Sequence, residues 1–530
     1  MKQFQYAAIL CFGLAMIVYL LGMMVPVMEV DAAQYASISQ QYLHESSYLQ
    51  IKHRDFEYLD KPPLLFWLSA ASIKAFGVNS FAYKLPSVLA LLLAVFSTFR
   101  FSKLQYDTRT SISAALILMC CQAFFIIAND CKTDNLLIGF SMLAIWKIAA
   151  YVKTSRPLDV YIGFAAIGFA MLAKGPLGLV FTFFTIGAIL LHERKTFKIR
   201  WHWLMAVPII GFILLPMSIG LYQQHGREGL GFFFWTQSFG RITGQSEWSN
   251  DTDPFFLVHS FMWAFLPFIL IFIVALFQKI RNAFTGKKLS WMDYGMLGGF
   301  LLTMFALSLS RFKLPHYIFI VCPLAAVLCA QYLASLKSEV IIERLAIGQF
   351  AFLVCLSIAA IALVFIFNET LFLTDFVLLG VLLAGVGVLV AKFKNETRIL
   401  LVSVWTIILL NGILSTSFYP KLLQYQSYSE AALYIQNEKL PIDQVVVLHT
   451  FGHAFSYYLD TTVPVYGNVD QITLPAYVFT DQRGLNELQV FDHQVIKRYE
   501  DFSVSNLTGK FLNPATRPDV ISERFLVRVE

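Results

Sequence analysis

Residues 7–39 read AAILCFGLAMIVYLLGMMVPVMEVDAAQYASIS. The first part, to about residue 28, is apolar and of the length that one helix needs to cross a bilayer core, about 20 residues. At Glu29 the chain turns polar and sets Glu29 and Asp31 just beyond the end of that helix. The pattern that follows, Ala33, Ala36, Ile38 and Leu43, suits an amphipathic helix lying on the membrane surface. Further along the same loop, residues 56–67 read FEYLDKPPLLFW, which places Tyr58, Asp60 and Lys61 ahead of a second such helix starting at Pro62. A purely structural span has little use for such a loop, whereas an enzyme working at a bilayer surface does.

Outward from this loop the composition fixes the class. Of the 530 residues, 57% are hydrophobic, 50 are phenylalanine and only 14% are charged, with a mean hydropathy of +0.64. Such a chain is not a soluble globule but a polytopic membrane protein. Apolar runs recur at about 7–28, 81–101, 110–128, 135–152, 159–173, 176–191, 203–222, 255–277, 292–308, 315–335, 346–367, 371–391 and 399–416, which makes about thirteen helices. The first has a basic start and no clear small-residue cleavage site, so it reads as an uncleaved signal anchor.

Lysine and arginine mark every second loop: Arg100, Lys103 and Arg109, then Lys147, Lys153 and Arg156, and later Lys279, Arg281, Lys392, Lys394 and Arg398. Positive loops stay cytoplasmic. The loops at 28–80, 129–134, 223–254 and 309–316 are therefore expected outside, together with the tail after 418. The net charge of +6 is largely this topology signal and calls for no nucleic-acid partner. Seven cysteines, mostly within expected helices and without a CxxC pair, read as small core residues. After Tyr419-Pro420 the chain becomes more polar, with short apolar runs at 445–448 and 463–466. The expected division is a transmembrane domain, 1–418, with its first outer loop at 28–80, and a small α/β domain on the outer side, 419–530.

The outer loops carry the chemistry. Asp31 and Asp60 lie in the first, Asp130 and Asp134 in the tight link between the third and fourth helices. Carboxylates grouped in this way can orient and deprotonate an acceptor hydroxyl, or hold a divalent cation through oxygen ligands. Asp31 and Asp134 are also suited to capping the helices that follow them. Lys61, Lys174, Arg241, Arg311 and Lys313 stand as isolated cations on the same side. Gathered near a lipid-facing cavity, such cations suit a phosphate or pyrophosphate at headgroup depth. Lys174 and Arg311 have snorkelling to the interface as the plainer alternative.

In order along residues 1–335, the chain carries Asp31 with Tyr35 and Ile38-Ser39, then Tyr58-Leu59-Asp60-Lys61-Pro62, Asp134, Ala173-Lys174-Gly175-Pro176, Phe233-Phe234-Trp235 with Arg241, and Lys313-Leu314-Pro315-His316-Tyr317. Through these elements it resembles the lipid-dependent GT-C glycosyltransferases, specifically the group of protein O-mannosyltransferases and lipid A aminoarabinose transferases. The resemblance implies a GT-C fold and a sugar donated from a polyprenyl phosphate, most often undecaprenyl phosphate in bacteria, to a lipid, glycan or protein acceptor at the outer leaflet, with inversion at the anomeric carbon. It implies residence in a bacterial inner membrane with an extracytoplasmic active site. By the same resemblance Asp31 is the catalytic carboxylate, with Asp134 as a second catalytic acid. Lys61, Lys174, Arg241 and Lys313 neutralise the departing lipid phosphate, and Tyr35, Tyr58 and Tyr317 line the pocket. The chain departs from the family pattern where the usual Asp-Glu pair is Asp31-Ala32 and where aminoarabinose transferases tend to carry Glu-His but this chain has Gln237-Ser238. Of the ligands for a possible divalent metal, Asp60 is the oxygen donor that remains.

A transporter or flippase for lipid-linked sugars is the alternative of a different class. It calls for ionisable groups within the helices and an inverted repeat, and here the charges collect at helix ends. A polymer ligase shares the lipid donor and differs in adding a whole chain.

Overall fold

The computed structural model describes residues 2–44, 48–54, 56–193, 200–237, 240, 250 and 252–530. The apolar run that opens the chain is α1 (Lys2–Met24). It leads through a short loop into α2 (Asp31–Gln41), a two-stranded hairpin of β1 (Lys52–His53) and β2 (Phe56–Glu57), and α3 (Leu64–Phe76). Then come α4 (Ser80–Ser102), the bent pair α5 (Thr108–Met119) and α6 (Gln122–Asn129), α7 (Thr133–Thr154), α8 (Pro157–Lys174), α9 (Leu177–Glu193) and α10 (Ala206–Gly231).

Local chemistry sets several of these boundaries. Asn79 caps α4 by accepting from the Ala82 N–H at 2.9 Å, and Asp107 caps α5 through Thr110 at 3.0 Å. Each satisfies an N–H that the helix itself leaves without a partner. Helix α8 stops at Gly175, whose φ of +69° is open to glycine and strained for other residues. Lys84, fully buried in α4, donates to the carbonyls of Gly22 at 3.1 Å and Val25 at 2.9 Å. It thereby serves the carbonyls at the C-terminal end of α1, where a cation is also favoured by the helix dipole.

Among the described residues nine helices are long and apolar enough to cross a membrane, or ten when α5 and α6, bent by 49° at Cys120-Cys121, count as one span. The chain is thus a multi-pass membrane protein. Three of the thirteen expected spans are helical but fall short of that test. Helix α9 has only 17 residues. The run near 255–277 is broken into Phe256–Ala264 and Ile269–Phe284, with Pro267, which has no N–H for a helical bond, at the break. The segment Trp291–Ser308 carries Asp293 in its first turn, as half of a capping box with Ser290.

At one end of the bundle the basic loops are tied by ion pairs, Arg109 to Glu396 at 2.7 Å and Lys153 to Glu193 at 2.9 Å. At the other end lie the first loop and the tail. The tail forms a five-stranded sheet in the order β4-β3-β5-β7-β6, built from β3 (Val445–Leu448), β4 (Val465–Tyr466), β5 (Ala476–Asp481), β6 (His493–Asp501) and β7 (Ser522–Val529). Strand β3 runs parallel to β4 and β5, and β7 lies antiparallel between β5 and β6. The residues of β3 are buried, as expected of a short, continuous apolar strand at the centre of a sheet.

The tail packs directly on the first loop, and this changes the character of α2. The sequence pattern suits a surface helix, yet every residue from Ala32 to Gln40 except Gln34 is buried. The short helix His453–Tyr458 and α3 cover the faces that the pattern leaves polar. Gln40 donates to Asp460 at 2.7 Å, so a polar residue of α2 finds its partner in the tail.

Candidate active site

Four polar contacts from the tail fix the loop that leads from α1 into α2. The Gln426 amide donates to the Val27 carbonyl at 3.0 Å and accepts from the Glu29 N–H at 2.7 Å. The Val27 N–H donates to the Tyr458 hydroxyl at 2.8 Å, and the Glu29 carboxylate accepts from the Ala454 N–H at 2.7 Å. Burial pushes the Glu29 carboxyl up to about 7, although two backbone N–H groups favour its charged form. Asp31 follows as the first residue of α2.

Asp31 does not cap that helix. The N-cap position is Val30 and no side chain caps it, which leaves the Asp31 carboxylate turned toward the loop between α6 and α7. There Lys132 lies 3.5 Å from Asp31 and 3.2 Å from Asp130. Burial acts to lower the Lys132 ammonium, but Asp130 and Asp31 outweigh it and carry it above the usual lysine range. The Asp31 side chain is 43% exposed and so remains reachable.

Asp134, in the first turn of α7, has the opposite setting. Its side chain is 4% exposed; one oxygen lies 2.5 Å from the Lys174 ammonium and the other 3.6 Å from His316. It makes no capping hydrogen bond either, the N-cap of α7 being Lys132. Lys174 ends α8 and also sits 4.1 Å above the ring of Tyr317, a cation–π contact. Lys61, Lys132 and Lys174 all lie within electrostatic reach of His316, which draws three elements distant in sequence into one cluster of ion-paired lysines.

The tyrosines complete the wall. Tyr35, one turn after Asp31, and Tyr58 both meet the ring of Phe66 edge-on, at 5.8 and 5.9 Å. Burial first, and then Asp60 and Asp31, hold the Tyr58 phenol well above its usual range. Burial, Tyr58 and Asp31 do the same for Tyr35. Both are therefore neutral hydroxyls, and that of Tyr58 is buried without a hydrogen-bond partner. Asp60 pairs with Lys61, while the Gln237 amide donates to the Asp60 carbonyl.

Of the residues expected at the site, Asp31, Asp134, Lys61, Lys174, Tyr35, Tyr58, Tyr317 and Asp60 line this end of the bundle. Lys313, 5% exposed, donates to the carbonyls of Thr252 and Asp253 at 3.3 Å each. Arg241 and Ser238 lie outside the described residues. Lys132 and Glu29 are additions. The sequence places both in the right loops, but the partners that define them lie as far away as Gln426 and Ala454.

The donor set does not fit a divalent metal. Such an ion takes several oxygen ligands, whereas Asp31, Asp60, Asp130 and Asp134 each face a lysine ammonium. Among the described residues no group of three or more His, Cys, Asp or Glu side chains is placed to hold a metal ion.

Residues 60–219 match the family model described as dolichyl-phosphate-mannose-protein mannosyltransferase. The chain is 26% identical over 337 residues to an undecaprenyl phosphate-alpha-4-amino-4-deoxy-L-arabinose arabinosyl transferase of Pseudomonas savastanoi, covering 60% of this chain and 58% of that protein. It is equally similar, at 26%, to the enzyme of that name in Pseudomonas aeruginosa, over 66% of this chain and 61% of the relative. The chain thus spans about three fifths of the length of these relatives. The fold matches ArnT from Cupriavidus metallidurans bound to undecaprenyl phosphate, with a TM-score of 0.74 at 16% identity, over 98% of this chain and 97% of that one. The apo form of the same protein gives 0.72 over the same shares. The GT-C fold expected from the motifs is the fold observed.

Proposed function

We propose that this chain, which shares the fold of an aminoarabinose transferase, is a membrane glycosyltransferase that takes a single sugar from an undecaprenyl-phosphate donor and gives it to an outer-leaflet acceptor, with lipid A foremost. The observation that carries the reading is the half-exposed Asp31 carboxylate beside a patch of lysines, Lys61, Lys132 and Lys174, at the membrane-surface end of the bundle. An acceptor hydroxyl hydrogen-bonded to Asp31 gives up its proton as its oxygen attacks the anomeric carbon. The bond from that carbon to the phosphate oxygen breaks on the opposite face, the configuration inverts, and the electron pair leaves with undecaprenyl phosphate. The ammonium groups of Lys61 and Lys174 stabilise the charge that builds on the leaving phosphate.

Asp134 acts as a positioning residue. Its buried carboxylate holds Lys174 and orients His316, while Tyr35, Tyr58 and Tyr317 wall the sugar from water. Residues 1–418 form the catalytic membrane domain and 419–530 an outer domain that braces the loop bearing Asp31. The basic loops at the far end of the bundle support a bacterial inner-membrane protein with its site on the periplasmic side.

Mass analysis of the surface lipids tests this in cells. A deletion strain loses a lipid species heavier by one sugar, the intact gene restores it, and the Asp31→Asn gene does not. An unchanged lipid profile, or restoration by the Asn variant, contradicts the reading.

A further inference from the structure

A cavity of about 850 Å³ lies where the first-loop hairpin meets the tail. One wall is the pair of strands β1 and β2, with His53, Arg54 and Phe56. The other is the tail segment with Phe451, His453 and Tyr466. Its volume is within the range of about 300–1,000 Å³ usual for small-molecule sites. The two walls are joined by Arg54, which donates to the Val463 carbonyl at 2.5 Å and lies 5.1 Å over the Phe451 ring.

Three observations say what the cavity takes. First, its lining includes Tyr58, whose buried hydroxyl lacks a hydrogen-bond partner and lies within electrostatic reach of Asp31 and Asp60. A ligand filling the cavity therefore reaches the tyrosine that neighbours Asp31. Second, the lining pairs the aromatic faces of Phe56, Phe451 and Tyr466 with polar groups, Thr462 and the two imidazoles beside the charged Arg54 and Glu57. The rings of His53 and His453 are 4.9 Å apart. Burial, helped by Arg54, pushes His53 down to about 4, and burial with His53 and Arg54 pushes His453 down to about 3. Near neutral pH both are neutral imidazoles, each with one donor and one acceptor nitrogen. The Nδ1 of His453 is buried with no partner, a cost that a ligand hydroxyl relieves. Third, among the described residues the lining holds none of the lysines suited to a lipid phosphate, Lys61, Lys132 and Lys174, and its charged side chains are Arg54 and Glu57.

Hydrogen-bonding groups set among aromatic rings match a sugar ring, which has hydroxyls at its edge and an apolar C–H face. Acyl chains call for an apolar wall, and the donor phosphate for the lysines. We infer that this cleft between the first-loop hairpin and the tail is the acceptor subsite, and that it binds the saccharide part of a glycolipid acceptor. The inference rests on the transferase reading above and adds to it where the acceptor sits and which part of it is held.

The test is direct binding of the deacylated lipid A saccharide to the purified full-length protein in detergent, by calorimetry, beside binding of undecaprenyl phosphate. Phe451→Ala and His453→Gln are each expected to weaken saccharide binding about tenfold or more and to leave undecaprenyl phosphate binding within about twofold. Tyr466→Ala is a third variant, should one of the first two melt early. In the transfer assay the acceptor KM rises with little change in kcat. Saccharide binding that is equal in parent and variants overturns the inference, as does the absence of saturable binding to the parent protein. Weakening of both ligands alike overturns it too, because it shows a structural role for these side chains. Cleft-dependent saccharide binding in a protein that transfers no sugar from an undecaprenyl-phosphate donor supports the saccharide site and counts against the transferase reading, so the two failures are distinct.

Discussion

The starts of α2 and α7 each place an aspartate in the first turn of a helix, yet the two carboxylates live in different surroundings. Asp31 is 43% exposed and shares Lys132 with Asp130, the nearer acid. Asp134 is 4% exposed and is held by Lys174 at 2.5 Å with His316 on its other oxygen. The difference teaches which can act on a substrate. A reachable carboxylate with a loose partner can accept a proton, whereas a buried one in a tight pair holds its neighbours in place. The tail makes the contrast sharper, because Gln426 and Ala454 fix the residues just before Asp31 while leaving its own carboxylate uncovered.

The contrast breaks most plainly at Asp31. Asp31→Asn keeps the shape and removes the proposed base, so kcat is expected to fall by about 10²–10⁴-fold, as for other positioned general bases, with an unchanged melting temperature. Transfer near the parental rate removes Asp31 from catalysis.

Asp134→Asn is expected to act on stability as well. Removing one partner of a buried ion pair costs about 3–5 kcal/mol, because the other charge stays buried alone. Asp134→Asn combined with Lys174→Met should regain much of the lost melting temperature without regaining activity. A single variant as stable as the parent means that this pair is not the buried anchor described above.

At Lys61 the expected effect is smaller and confined to the donor. Lys61→Ala loses one charge-assisted contact, about 1.5–3 kcal/mol of undecaprenyl phosphate affinity. Equal binding by parent and variant, measured in detergent, places the phosphate elsewhere.

The smallest effect is a pH dependence at Glu29. Its carboxyl is raised to about 7 in the folded protein from an ordinary value of 4.5. The folded state therefore holds its proton more tightly, and this contribution to stability is full below about 4.5 and is lost as pH rises toward 7. Glu29→Gln still accepts from the Ala454 N–H but does not titrate, so its melting temperature should fall less than the parent's between pH 5 and 7. Identical slopes remove Glu29 from this role.

Much of this was legible in the sequence. The spans and the grouping of Asp31, Lys61, Asp134 and Lys174 on one side follow from apolar periodicity and the spacing of basic loops, whereas Asp31 and Asp134, which suit caps, cap neither helix. What escaped rests on contacts across hundreds of residues. Ala33, Ala36 and Ile38 announce an amphipathic helix, but its burial depends on the helix His453–Tyr458. Lys132 sits in a loop recognised as acidic, with no local sign that it bridges Asp31 and Asp130. Lys313 gives no local sign in the sequence of its contacts with the carbonyls of Thr252 and Asp253. Lys84 looks like a charge misplaced in a span until the end of α1 is found beside it.

Shared sidedness has a simple check in the pair His44→Cys and Ser505→Cys, both at exposed positions, in a background lacking the native cysteines. Both should react with an impermeant maleimide in intact spheroplasts. Reaction at one position alone contradicts the packing of the tail on the first loop.

The central claim is transfer from a lipid carrier, and the most direct measurement is the mass of the product made by the purified protein in detergent. With an undecaprenyl-phosphate-linked sugar and lipid A, the account predicts lipid A heavier by that one sugar, with undecaprenyl phosphate released in equal amount. Product formed equally well from a nucleotide sugar with no lipid carrier present, or no product from the lipid-linked donor under conditions where that donor binds, contradicts it.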